Sequence, residues 1–243
     1  TIRRSKGAND AKRGQLFTKL GHELAVAARE GGGDPEANFR LRLVLDKARQ
    51  ANMPKDTIEN AVKKGAGGAE GANFETVYYE GYGTGGIAIL AEALTDNRNR
   101  TAPEVKKIFE RHGGSVGAAG CVQWMFTSKG QIAVPANGVD EDRIAEIALE
   151  AGADDYALSD DVWEITCEPT AFEPLRAALT LAGLAIQSAE LAMVPSTAIT
   201  VDAESGAKLL KLIDALEDHE DIQNVYANFE IPPDALDQLE AGG

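Results

Sequence analysis

Two groups of side chains in this sequence have the types and spacing to hold an anion. The first is a run of bases near the start: Arg3, Arg4, Lys6, Lys12, Arg13 and Lys19, then Arg40, Arg42, Lys47 and Arg49, then Lys55, Lys63 and Lys64. Guanidinium and ammonium groups repeated over so short a stretch are the electrostatic footprint of phosphate-backbone binding. The second is Asp96-Asn97-Arg98-Asn99-Arg100-Thr101. Here Asn97, Arg98, Asn99 and Arg100 form a compact donor set at a predicted strand-to-helix junction, where backbone N–H groups also favour negative charge. It reads either as a turn with a helix cap or as a second contact to phosphate or to a partner's carboxylates.

The first group stands out because the rest of the chain is acidic. Residues 1–64 hold 14 Lys and Arg against 8 Asp and Glu, whereas the whole chain carries 24 against 39 and a net charge of −15. The remainder is therefore at −21. Such a body repels nucleic acid and anionic membrane, and a basic segment attached to it points to a polyanionic partner for that segment alone. Good helix formers such as Lys and Arg also serve as a solubilising surface, the plainer reading of the same residues. No apolar run approaches the roughly 18 residues of a membrane span.

Catalytic and metal chemistry find no such foothold. His22, His112 and His219 are far apart, without an acid–Ser or Cys partner in any motif. Cys121 and Cys167 form neither a disulfide framework nor a C-x-x-C knuckle, and they suit a reducing, cytoplasmic setting as buried small hydrophobes. Asp140-Glu141-Asp142, Asp154-Asp155 and Asp160-Asp161 lack the spacing of a calcium loop. Gly81-x-Gly83-x-x-Gly86 has the letters of a dinucleotide fingerprint, but the following residues read as a strand rather than a helix, so a hairpin loop is expected. No catalytic residue, metal or cofactor is expected.

The elements that must position the bases read as three helices. Leu16, Leu20, Leu24, Ala27 and Ala28 recur at helical intervals between Ala11 and Glu30. Asp34-Pro35 reads as the cap and first turn of a second helix with Leu41, Val44, Leu45, Ala48 and Ala51 inside. At 100° per residue, Arg40 and Lys47 line one flank of its apolar stripe and Arg42 and Arg49 the other. Pro54 opens a third helix, with Ile58, Ala61 and Val62 inside and Gly65 as its stop; a glycine-rich linker follows to Gly71.

From Phe74 the period becomes strand-like. Strands 74–80 and 87–94 flank the glycine loop. A helix over 101–112 starts at a Thr101-x-x-Glu104 capping box, and Cys121–Phe126 reads as a strand. Strand 129–135, helix 140–151, strands 155–158 and 162–167, a helix capped by Thr170-x-x-Glu173 and strand 184–194 make a β-α-β-β-α-β order, the split-βαβ arrangement. Strand 197–202, helix 205–219 and strand 222–229 remain. The expected fold is multidomain α+β: a basic helical domain with its linker (1–71), a discontinuous domain (72–128 plus 195–243) and an inserted one (129–194), the last two of ferredoxin-like type.

Asp10-Ala-Lys-Arg-Gly, Phe17-Thr-Lys-Leu, Ala27-Ala-Arg-Glu-Gly-Gly-Gly-Asp-Pro-Glu-Ala-Asn38, Ala51-Asn-Met-Pro-Lys-Asp56, Tyr79-Glu-Gly-Tyr-Gly83, Leu94-Thr-Asp-Asn-Arg-Asn-Arg-Thr101 and Asn224-Val-Tyr-Ala-Asn-Phe229 together resemble the YebC/PmpR family over essentially the whole chain. The resemblance implies a helical domain and two α/β domains, and a cytoplasmic, non-enzymatic role in gene expression. Members carry the label of probable DNA-binding transcriptional regulator; others act at the ribosome, and mitochondrial relatives are translational activators of cytochrome oxidase. It makes a binding role at Asp96–Thr101 more credible. Thr84 and Phe39 stand where the family usually has proline, and the family's Gly-His-Ser-Lys-Trp start is absent. The expectation is a regulator whose basic helices hold nucleic acid, rRNA on the ribosome ahead of duplex DNA, with a protein-interaction adaptor as the rival.

Overall fold

The computed structural model describes residues 10–67, 74–159 and 161–236. The chain divides into two compact units, Met125–Ser196 and the residues on either side of it.

In the first unit, helices α1 (Asp10–Gly31), α2 (Phe39–Gln50) and α3 (Lys55–Ala66) pack around Leu20, Leu24, Ala27, Leu41, Leu45 and Ala48, with Met53 and Ile58 closing the cluster. Leu16, expected in this stripe, is 44% exposed. The cap of α2 is Asn38, not Asp34. Asp34–Ala37 forms a turn closed by the Asn38 N–H to the Asp34 carbonyl (2.9 Å). The Asn38 carboxamide accepts from Leu41 N (3.0 Å) and donates to the carbonyls of Ala27 and Gly32 (both 2.7 Å). One buried side chain thus satisfies the start of α2 and the end of α1 together. Phe39 is then the first helical residue, where an N–H lacks an intrahelical partner anyway, so proline and Phe are both tolerated there. Gly65 does not stop α3. It lies inside the helix, where a Cβ would stand 2.1 Å from the Ala25 carbonyl oxygen, and its role is to let α3 close on α1.

Strands β1 (Glu75–Tyr82) and β2 (Ala88–Thr95) form the expected hairpin, with a 3₁₀ turn at Thr84–Gly86. β3 (Ser115–Val116) and β9 (Ile222–Ala227) complete an antiparallel sheet of order β3-β1-β2-β9. Helices α4 (Arg98–Arg111) and α7 (Ala203–Glu217) cover one face through Val105, Phe109, Leu209, Leu212 and Leu216. β2 carries apolar residues on both faces, and Leu90 and Leu94, on either side of Glu92 on the second face, are buried too. Phe74 and Tyr78 alternate onto that side. There His22 of α1 stacks on Phe74 (centroids 4.3 Å), and the Arg40 guanidinium is near enough to act on the Tyr78 hydroxyl. The expected strand 197–202 shrinks to β8 (Ile199–Thr200), which pairs in parallel with β10 (Phe229–Glu230) outside the four-stranded sheet. That sheet therefore lacks the split-βαβ strand order.

In the second unit, β4 (Phe126–Pro135), β5 (Ala153–Ser159), β6 (Val162–Cys167) and β7 (Ser188–Pro195) form an antiparallel sheet of order β5-β6-β4-β7. Helices α5 (Glu141–Glu150) and α6 (Phe172–Leu181) supply Ile144, Ala148, Phe172, Leu175 and Leu179 to its core. Cys121–Met125 is a loop and a 3₁₀ turn, so the separate strands expected at 121–126 and 129–135 are one strand, β4. Thr170 caps nothing; Pro169–Ala171 is a 3₁₀ turn leading into α6.

Candidate nucleic-acid interface

Of the predicted bases, Arg3, Arg4 and Lys6 lie outside the described residues, as does the side chain of Lys12. Arg13 is exposed with its guanidinium 5.3 Å from the Phe17 ring centroid. Arg40 pairs with Glu30, and Arg49 with Asp46 at 3.3 Å. Arg42 donates to the Pro35 carbonyl (3.2 Å) and lies over the Phe39 ring, and Lys47 sits half-buried on α2. Lys55 and Lys63 share Glu59 at 3.7 and 3.8 Å, and Lys64 is exposed. These acids come from the helical module itself, and the pairs are exposed. Such pairs contribute about 0–1 kcal/mol, so a phosphate exchanges with them at little cost.

Lys19 behaves differently. It is half-buried and donates to the Glu217 carbonyl at 2.5 Å, at the C-terminal end of α7. Burial pushes its ammonium pKa down, and the carboxylates of Asp218, Glu23 and Asp221 only partly offset that. This cation caps a helix of its own chain.

The segment Asp96–Thr101 is drawn inward as well. Asn97, rather than Thr101, caps α4 by accepting from Arg100 N (3.2 Å). The hydroxyl of Thr101 donates to Asp221 Oδ2 (2.6 Å) and lies 2.7 Å from that of Thr95. Arg100 donates through Nη2 to both Asp221 oxygens, at 3.0 and 2.8 Å. Burial would raise the Asp221 pKa, but the hydrogen bonds from Arg100 and Thr101 hold it below the ordinary carboxylate value. Arg98 pairs with Glu75, while Asn99 remains exposed. Asn97 and Arg100 thus serve a clasp that joins the end of β2 and the start of α4 to the start of β9.

Asp221 was not singled out from sequence, because its partners lie 120 residues away. The same holds for Glu80, a buried carboxylate that accepts from the N–H groups of Gly120, Val122 and Gln123 at 2.5, 2.7 and 2.7 Å. Burial raises its pKa, but those N–H groups more than reverse the effect. The histidines do not converge: His22 lies on Phe74, His112 ends α4, and His219 contacts Glu104 at 2.9 Å. Asp221 N donates to His219 Nδ1 (3.1 Å), so Nε2 carries the proton shared with Glu104. Among the described residues no group of three or more His, Cys, Asp or Glu is placed to hold a metal, and no helix is long and apolar enough to cross a membrane.

The sequence matches two family descriptions in series: "TACO1/YebC protein N-terminal domain" over residues 1–68 and "TACO1/YebC second and third domain" over residues 74–229. A probable transcriptional regulatory protein of Geobacter sulfurreducens is 52% identical over 98% of this chain and 96% of its own. One of Pelotomaculum thermopropionicum with the same description is 50% identical over 95% and 96%. Among solved structures, a conserved hypothetical protein of Aquifex aeolicus superposes with a TM-score of 0.86 at 45% identity, covering 96% of each chain.

Proposed function

The chain belongs to the TACO1/YebC family, and from that premise we propose that it is a non-enzymatic cytoplasmic regulator of gene expression that grips structured RNA of the ribosome through its helical module. The observation that carries this reading is the set of exposed cations Arg13, Arg40, Arg49, Lys55, Lys63 and Lys64 on α1, α2 and α3, four of which pair with acids of the same helical module. Arg13, Arg40, Arg42, Lys47, Arg49, Lys55, Lys63 and Lys64 make the phosphate contacts, with Arg3, Arg4, Lys6 and Lys12 ahead of them in the sequence. Lys19 is left out because its charge is used inside the chain. A weaker second contact falls to Arg98 and Asn99. We assign the roles by domain: residues 1–71 bind nucleic acid, while residues 72–128 with 195–243 and residues 129–194 offer acidic surfaces to proteins.

A salt titration of binding to an rRNA fragment tests this. Log K should fall with log salt by roughly 0.7–0.9 for each cation engaged. Changing Arg40, Arg42, Lys47 and Arg49 to Ala should weaken binding and flatten that slope, while Lys19→Gln should leave both unchanged. Unaltered affinity in the fourfold variant overturns the reading. The printed descriptions of the relatives favour a second version, a transcriptional regulator on duplex DNA. Tighter binding to duplex DNA than to rRNA at equal ionic strength decides for it, and binding to neither leaves the adaptor.

A further inference from the structure

An open groove of about 600 Å³ runs between α2 and α3 beside the Gly33–Pro35 turn. Its floor is aliphatic: Leu45, Met53 and Ile58 are buried and Val62 half-buried. Its rim carries Arg49, Lys55 and Lys63, with Glu59 between the two lysines. The volume lies in the range of small-molecule pockets, roughly 300–1,000 Å³.

Three occupants suit an apolar slot with a cationic rim, and Glu59 separates them. An acidic amphipathic peptide of Leu and Glu would satisfy the cations but bring no donor to Glu59. A base pair within a duplex keeps its faces stacked and offers none to the floor; extracting a base costs a few kcal/mol. An unpaired base has two apolar faces, an exocyclic amino group that needs an acceptor, and phosphates on either side. The rim supplies a partner for each, and an RNA loop presents such bases already unstacked.

We propose that this groove receives an unpaired base of an RNA loop, its faces on Leu45, Met53 and Val62, its exocyclic amino group on Glu59, and its flanking phosphates on Arg49, Lys55 and Lys63. The proposal rests on the reading that the helical module binds RNA, and adds that it selects single-stranded segments.

The experiment compares a short RNA hairpin carrying 2-aminopurine in its loop, the same RNA closed into a full duplex, and a DNA hairpin of equal sequence, each titrated into the full chain at one ionic strength. The wild type should prefer the RNA loop over the duplex by about tenfold or more, with a change in 2-aminopurine fluorescence. Val62→Trp, which fills the groove, should abolish that preference and leave duplex binding in place. Glu59→Gln, an exposed change that spares the fold, should weaken loops offering an amino group more than all-uracil loops. Equal binding of loop and duplex, or a preference that survives Val62→Trp in a variant of native circular dichroism, overturns the proposal while leaving backbone binding intact. Equal binding of the DNA hairpin overturns the choice of RNA. Displacement of the hairpin by a Leu/Glu helical peptide, with no loop preference, makes the groove a protein site and overturns it too. No binding of any of these nucleic acids removes the proposal together with the reading beneath it.

Discussion

Replacing Asp221 by Asn keeps the shape of the side chain and removes the charge at the centre of the clasp between β2, α4 and β9. The Asp221 side chain is 3% exposed and that of Arg100 46% exposed. Removing one partner of a fully buried pair costs about 3–5 kcal/mol. Arg100 keeps half its surface in water, and Asn still accepts one hydrogen bond from it or from Thr101. The expected loss is therefore nearer 2 kcal/mol, the worth of one hydrogen bond to a charged group, about 1.5–3 kcal/mol. The pH dependence gives an independent check. Asp221 titrates below its unfolded value of 3.8. The stability it contributes is complete above that pH and drains away as pH falls through the folded-state value. Wild type and Asp221→Asn should differ fully at pH 7 and converge in acid. Because the two units need not unfold together, the measurement is hydrogen exchange of amides in α4 and β9, at pH 7 and below 3.8 with intrinsic rates corrected. A difference at pH 7 under about 0.5 kcal/mol, or one that persists undiminished in acid, refutes the clasp; surface changes alone stay within that bound.

Gly65→Ala should destabilise the helical module by about 1–3 kcal/mol in urea unfolding, because its Cβ would meet the Ala25 carbonyl. Helix propensity alone predicts a gain of about 1 kcal/mol, so the sign decides. Glu80→Gln must turn an amide NH₂ toward at least one of the three N–H donors on the Gly120–Gln123 loop. It should cost about 2–3 kcal/mol and raise exchange of those amides, and unchanged protection counts against the buried carboxylate as the loop's anchor. His22 has a lowered pKa because it is buried, and its Nδ1 has no hydrogen-bond partner. Since the unfolded chain takes up the proton first, stability should decline as pH falls below 6.5, and His22→Leu should remove that step from urea midpoints measured between pH 7.5 and 5.

What the sequence made legible follows from how local each signal is. The 3.6-residue period of α1 to α3, the hairpin around Gly81–Gly86 and the alternation of helices and strands over 126–195 depend on neighbours a few residues apart, and each element is present in the expected order, though the strand expected at 184–194 begins only at Ser188. The helix starts were misread wherever a remote group chose among several competent residues. Asp34, Asn38, Thr101 and Thr170 are all acceptable caps by type. Asn38 is used because the Ala27 and Gly32 carbonyls hold its amide, and Thr101 is diverted because Asp221 takes its hydroxyl. The same remoteness turned Arg100 from an apparent phosphate donor into an internal partner, and hid the groove, whose floor joins Pro35 to Val62 across two helices.

The segregation of charge poses a question that these contacts answer. A module of net +6 beside a body of −21 would be expected to spend its cations on that body, leaving nothing for an outside anion. It spends Lys19. That ammonium sits at the end of α7, where the last carbonyls concentrate negative potential and where Asp218 adds to it. A half-buried contact to a helix end is directional, and it ties α1 to the end of α7. Arg40, Arg49, Lys55 and Lys63 are held instead by acids of the helical module, in pairs weak enough to open. The acids of the body then act at longer range, through a field that salt weakens within about 10 Å. Raising salt therefore works in two directions on the intact chain, screening the body's repulsion of RNA and the module's attraction for it. Reversing charges of the second unit, such as Glu141→Lys with Glu146→Lys, should raise RNA affinity at low salt and lose that advantage as salt rises. A constant gain across the titration would mean that α5 touches the RNA itself.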